Sequence, residues 1–188
     1  MSTNHDRQYA KTLAAQLRDL THPPAEIWLK LREYGSVGWA EVDAVFDRLD
    51  PAWQYGLIEL WGDRSEPPLP VEAAKRLTQL VEGEDITLAH PAAVALARLG
   101  EPHTTIALQR LIADLDNPVE MRVDSAAIAL RNLGMPLAAP AIPALERVVM
   151  RPRVRGGLLS SLVYQPRSPS ETAKQVLKEL REYLSKND

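Results

Sequence analysis

The sequence contains no cysteine, and its 188 residues include only one phenylalanine and four histidines. Without thiols there are no disulfides and no thiolate metal sites, and an oxidising compartment gains no support. His5, His22, His90 and His103 are dispersed, and none stands in a metal-ligand spacing such as HExxH. No metal and no cofactor are therefore expected. Nowhere do 18 apolar residues follow one another, and the start, MSTNHDRQYAKTL, lacks a cleavable signal pattern. The expectation is a cytoplasmic chain with no membrane partner. A phosphate-cradling glycine loop and a GxSxG nucleophile elbow are also missing, and Ser160 and Ser161 have no base nearby in sequence. No catalytic residue is assigned, and the chain is read as a non-enzyme.

What is present is a punctuated helical pattern. Apolar residues make up 45% of the chain, more than a disordered chain would carry, so the fifteen prolines need a structural account. Pro24, Pro51, Pro70, Pro102, Pro118, Pro136 and Pro169 stand where helices would begin, so they separate helices and do not dissolve them. The exception is Pro91, inside DITLAHPAAVALARLG, where the pattern favours one longer helix running through the proline.

The clearest unit runs from Asp116 to Val149. Asn117 before Pro118, with Glu120 three residues later, predicts a capped helix start. Met121, Ala127 or Ile128, Leu130 and Leu133 then recur at helical steps, and Gly134 stands where a left-handed residue would stop the helix. A second helix carries Ile142, Leu145, Val148 and Val149. Shifting the chain by 34 residues places Ala92, Ala93, Leu96, Leu99, Gly100, Pro102 and Leu111 on Ala126, Ala127, Leu130, Leu133, Gly134, Pro136 and Leu145. Agreement at so many positions in one register is a repeat of two helices, which must stack on neighbours to bury its apolar face.

The residues Asn117, Pro118, Arg122, Ala126, Ala129, Leu130, Leu133 and Gly134 resemble HEAT-like repeats of the type also found in phycobilisome lyases. The resemblance covers Ile86 to Met150. It implies an all-α fold, a right-handed α-solenoid of about five HEAT-like helix pairs. It also implies a ladder in which a turn Asp and an Arg six residues later stack between repeats. Asp116 and Arg122 keep that spacing, whereas the neighbouring copies have Glu82 with Leu88 and Met150 with Gly156.

One domain, 1–188, is expected, in three parts. Residues 1–66 form a divergent aromatic-rich cap, with helices marked by Tyr9/Leu13/Leu17/Leu20, Ile27/Leu31/Tyr34, Trp39/Val42/Val45/Phe46/Leu49 and Trp53/Leu57/Leu60/Trp61. Residues 67–150 hold the clearest repeats. Residues 151–188 form a basic C-terminal repeat and a capping helix, in which Ser168 and Glu171 bracket Pro169 as a capping box and Ala173, Val176, Leu177, Leu180 and Leu184 face inward. Charge divides along the same lines: 7 basic against 11 acidic groups in 1–66, 7 against 10 in 67–150, and 8 against 4 in 151–188.

Two contact regions follow. Arg151, Arg153 and Arg155 lie within five residues at a turn leading into a helix, where guanidinium forks suit phosphate or carboxylate, and Arg122 extends the strip from an equivalent turn. Trp28 sits beside Ile27 and off the Ile27/Leu31/Tyr34 stripe, which makes it the one tryptophan expected to face a partner. The expected function is a non-catalytic scaffold or adaptor that binds another protein, as an accessory subunit of a larger complex. The alternative, also implied by the resemblance, is nucleic-acid binding of the DNA-repair-glycosylase kind, which the acidic net charge of −3 disfavours. A bilin-lyase-like chaperone is a third reading.

Overall fold

The computed structural model describes residues 4–17, 24–62, 69–151 and 169–187. Among the described residues the chain is all-helical, with α1 (Asn4–Gln16), α2 (Pro24–Arg32), α3 (Gly35–Phe46), α4 (Pro51–Trp61), α5 (Ala73–Glu82), α6 (Ile86–Ala97), α7 (His103–Leu115), α8 (Glu120–Leu133), α9 (Ile142–Met150) and α10 (Pro169–Asn187). A single 3₁₀ turn, Ala139–Ala141, precedes α9.

Short polar side chains set several starts. Asp50 Oδ1 accepts the Ala52 N–H at 2.9 Å with Pro51 in the first turn of α4, and Asp85 Oδ1 accepts the Thr87 N–H at 2.9 Å to open α6. Helix α6 then continues through Pro91, as the repeat register predicts. Gly134 ends α8 at φ 67°, a conformation that favours glycine, and its N–H bonds the Leu130 carbonyl. The start of α8 differs from expectation. Asn117 Oδ1 accepts the Val119 N–H at 2.9 Å as a turn, and the helix begins only at Glu120, so no capping box forms around Pro118. Met121 consequently falls in the first turn and is exposed, and the inward stripe is Val123, Ala126, Ala127, Leu130 and Leu133.

Each helix from α4 onward packs on the next but one. Helix α4 contacts α6, α6 contacts α8 and α8 contacts α10, while α5 contacts α7 and α7 contacts α9. Helix α6 sits at the centre, touching α4, α5, α7 and α8, and nine of its twelve residues are buried. Such all-round burial favours small residues, and Ala89, Ala92, Ala93, Ala95 and Ala97 supply them by keeping the side-chain layer thin where helices meet.

Arginines tie the second row together at repeat spacing. Arg76 on α5 bonds Asp43 and Asp47 on α3 at 2.5 and 2.9 Å and lies over the Phe46 ring, while Arg110 on α7 bonds the Val81 carbonyl on α5 at 2.6 Å. Arg110 follows Arg76 by 34 residues, and Val81 follows Asp47 by 34. The same tie is therefore made twice in successive units.

The N-terminal helices are held differently. Trp28 of α2, Trp39 of α3 and Trp61 of α4 converge with ring centroids 4.7–6.1 Å apart, and Phe46 lies 5.3 Å from Trp61. Trp28 is 2% exposed, so the expectation that it faces a partner is overturned. Helix α2 touches α1, α3 and α4, which leaves it more than one inward face, and an off-stripe residue is buried as deeply as the stripe.

Candidate functional site

The face formed by α4, α6 and α8 carries a continuous groove. Its compact end encloses about 200 Å³ between Tyr55 and Glu59 of α4, Ile86, Thr87, His90, Pro91 and Val94 of α6, and Ser125, Ile128, Ala129 and Asn132 of α8. Its wider end, about 540 Å³, shares Glu59, Pro91, Val94 and Asn132 with the first and adds Gly56, Leu60, Gly62 and Arg98. Both sections open to solvent, and together they fall in the size range of ligand and side-chain recognition sites.

The geometry follows from local sequence. Alanines let α4 and α8 approach the floor helix closely, and Pro91 and Val94 give that floor its apolar surface. Pro91 also has no N–H to offer the Thr87 carbonyl one turn back. At the lip, Arg98 Nη2 donates to the Asn132 carbonyl at 3.2 Å, joining α6 to the C-terminal turn of α8.

Beneath the compact end lies a buried polar line. His90 Nδ1 is 2.7 Å from Ser125 Oγ, and His90 Nε2 is 2.9 Å from Asp114 Oδ2. Asp114 also accepts from Arg110 Nε at 2.6 Å and from Arg122 Nη1 at 3.4 Å, while Arg122 Nη2 reaches the Glu84 carbonyl at 3.2 Å. His90 is 1% exposed. Burial pushes its imidazole below the ordinary value; the Asp114 hydrogen bond and charge oppose this, and the charges of Arg110 and Arg122 reinforce it. Burial pushes Asp114 the other way, but the hydrogen bonds from His90 and Arg110 and the Arg110 charge prevail and hold it below the ordinary carboxylate value.

These directions assign the protons. An ionised Asp114 only accepts, so the neutral ring carries its proton on Nε2, and Nδ1 accepts the Ser125 hydroxyl proton. The line joins α6, α7 and α8, with Arg110 extending it to α5 and Arg122 to the turn before α6. Ser125, His90 and Asp114 thus stand in the order nucleophile, base and orienting acid, although the two guanidiniums already share the acid.

The arginines expected to form a basic strip fare unevenly. Arg122 is half-buried in the Asp114 network and does not extend a free strip, and its partner is not the Asp116 of the implied ladder. Asp116 instead pairs with Arg147 at 2.7 Å and Arg151 at 3.0 Å, and the Arg147 hydrogen bond leads in holding Asp116 below the ordinary carboxylate value. Arg151 also donates to the Asn117 carbonyl at 3.4 Å, so it reaches back one unit to a turn. Arg153 and Arg155 lie outside the described residues, as do Val154, Leu158, Ser160, Ser161 and Ser168.

No family model, curated protein or solved structure matches this chain. Among the described residues no helix is long and apolar enough to cross a membrane. No group of three or more His, Asp or Glu side chains among them could hold a metal ion.

Proposed function

We propose that the chain is a right-handed HEAT-like α-solenoid of about five helix pairs that serves as a non-catalytic scaffold, docking another protein along the α4–α6–α8 groove. The observation that carries this reading is the groove itself: one unbroken channel crossing three successive helices of the same row, with an apolar floor and polar lips. The next-but-one packing of the helices and the twofold recurrence of the Arg76 and Arg110 ties support the repeat architecture. A stack of repeats presents an extended surface because each unit contributes the same helix face to it.

A photo-crosslinking amino acid at Asn132, on the groove lip, tests the reading against the same probe at exposed Gln109 on α7. Expression in the native cell is expected to yield a defined protein adduct from position 132 and none from 109. No adduct at 132, or the same adducts at both positions, removes the scaffold reading.

One observation favours a second reading, acyl transfer from Ser125, because the Ser125–His90–Asp114 line has the order such chemistry uses. The proton taken by His90 would be disfavoured by Arg110 and Arg122, whose charges face the same Asp114. Holding the helices together accounts for all its members. Labelling of the native chain by a fluorophosphonate, lost in Ser125→Ala, would replace the scaffold reading with a hydrolytic one.

A further inference from the structure

The hydroxyl protons around the compact end of the groove all point away from it. Tyr55 Oη donates to Glu59 Oε1 at 2.6 Å, Thr87 Oγ1 donates to Asp85 Oδ1 at 2.6 Å, and Ser125 Oγ donates to His90 Nδ1 at 2.7 Å. A hydroxyl has one proton and two lone pairs, so each of these three oxygens is left facing the cavity as an acceptor. The Glu59 carboxylate, which lines both sections, adds a full negative charge, and Pro91 removes the backbone donor that would have met the Thr87 carbonyl. Burial-poor Glu59 keeps Tyr55 protonated, since the hydrogen bond to Glu59 leads in raising the phenol to about 12.

We propose that the compact end of the groove is a receptor for a lysine or arginine side chain of the docked protein, its cationic head bound by Glu59 and the oxygens of Tyr55, Thr87 and Ser125 and its methylene stem lying on Pro91 and Val94. Oxygen acceptors ring the cavity, and a donor-rich cation is the group that satisfies several of them together. The apolar floor suits the aliphatic stem that both residues carry. Charge complementarity favours the same occupant: residues 1–66 carry 7 basic and 11 acidic groups and residues 67–150 carry 7 and 10, so the groove's helices belong to a net acidic body. A polypeptide suits the site better than a free amine because the cavity runs on without a break into the wider section, where Arg98 meets groups of the opposite polarity. The inference rests on the scaffold reading and names the chemistry that scaffold selects.

The test uses the full ¹⁵N-labelled chain and capped pentapeptides Ala-Leu-X-Leu-Ala, with X lysine, norleucine or glutamate, and butylammonium as the small-amine control. The lysine peptide is expected to shift the amides of Tyr55, Glu59 and Ser125 and to bind at least fivefold more tightly than the norleucine and glutamate peptides and than butylammonium. Glu59→Gln, which keeps an acceptor for Tyr55 while deleting the charge, should weaken the lysine peptide at least fivefold and leave the norleucine peptide unchanged. Equal binding of lysine and norleucine peptides, preference for glutamate, or no shift in the groove overturns the proposal. Butylammonium binding as tightly as the lysine peptide overturns it in favour of a small amine. If the crosslink at Asn132 captures a partner while the lysine peptide fails, the cation receptor falls and the scaffold stands.

Discussion

Helices α1–α4 and helices α5–α9 solve the same packing problem with opposite means. The first group fills the space between helices with bulk: Trp28, Trp39, Trp61 and Phe46 meet at one point, and the rings interlock across α2, α3 and α4. The second group removes bulk, with Ala89, Ala92, Ala93, Ala126 and Ala127 fully buried, and adds polar ties between units through Arg76, Arg110 and His90. Bulk gives a cluster whose members depend on one another at a single place. Small residues with repeated ties give a surface that can be extended, and the groove forms where the two regimes meet, between α4 and α8.

The comparison breaks most visibly if a ring is deleted from the first region. Trp28→Ala should cost about 4 kcal/mol, since a fully enclosed indole is removed from a site ringed by other rigid aromatics that cannot collapse into the space. Urea unfolding followed by circular dichroism measures it. A loss below about 1 kcal/mol would mean that the four helices do not share one aromatic centre.

The counterpart in the second region deletes a tie and not a filler. Asp114→Ala should cost about 3 kcal/mol, because it strands Arg110 and Arg122 without their shared acid and leaves His90 Nε2 without an acceptor. The same unfolding measurement applies, and a double-mutant cycle with Arg110 should show strong coupling. Independence of the two substitutions would reduce the network to coincidental neighbours.

Volume should act with opposite sign in the two regions. Ala93→Leu adds three carbons where α6 has no free space and should cost about 2 kcal/mol through overpacking. If thermal melting instead shows stabilisation, the alanine-lined contacts contain unfilled voids and the contrast with the tryptophan cluster is lost.

How much of this could be read in the chain depends on the range of the interaction. Helix existence is local, so Asp50, Asp85 and Gly134 announce their boundaries, and the 34-residue recurrence marks equivalent helices in α6 and α8. The Arg76 and Arg110 pair stands at that same spacing and was open to the same comparison, but only apolar and turn positions were aligned. Trp28 misleads because a single-stripe argument assumes one buried face, whereas α2 is enclosed by three helices. The His90 line is a matter of tertiary packing: its partners lie 35 and 24 residues away, and the only local sign is a histidine set among buried alanines in α6. The turn-Asp ladder expected at Asp116 and Arg122 fails because α8 begins late, which directs Arg122 toward Asp114 and leaves Asp116 to Arg147 and Arg151.

The smallest expected effect is one of pH, and it separates the two regions by chemistry because the aromatic cluster has no titrating member near neutrality. His90 is neutral in the fold, with its imidazole held below the ordinary value of 6.5 by burial. In the unfolded chain the same ring takes up a proton as the pH falls through about 6.5. The unfolded state then binds the extra proton, so stability declines from 6.5 downward until the depressed folded value is passed, at roughly 1 kcal/mol per pH unit. Asp114 adds a separate loss at lower pH: its stabilisation is complete above the ordinary 3.8 and disappears as the pH falls through its depressed folded value. Melting temperatures taken between pH 7.5 and 5 should therefore fall more steeply for the native chain than for His90→Gln, which keeps a donor toward Asp114 but does not titrate. Parallel slopes for the two proteins would mean that His90 is already charged in the fold, and the proton assignment that leaves Ser125 as an acceptor in the groove would fail with it.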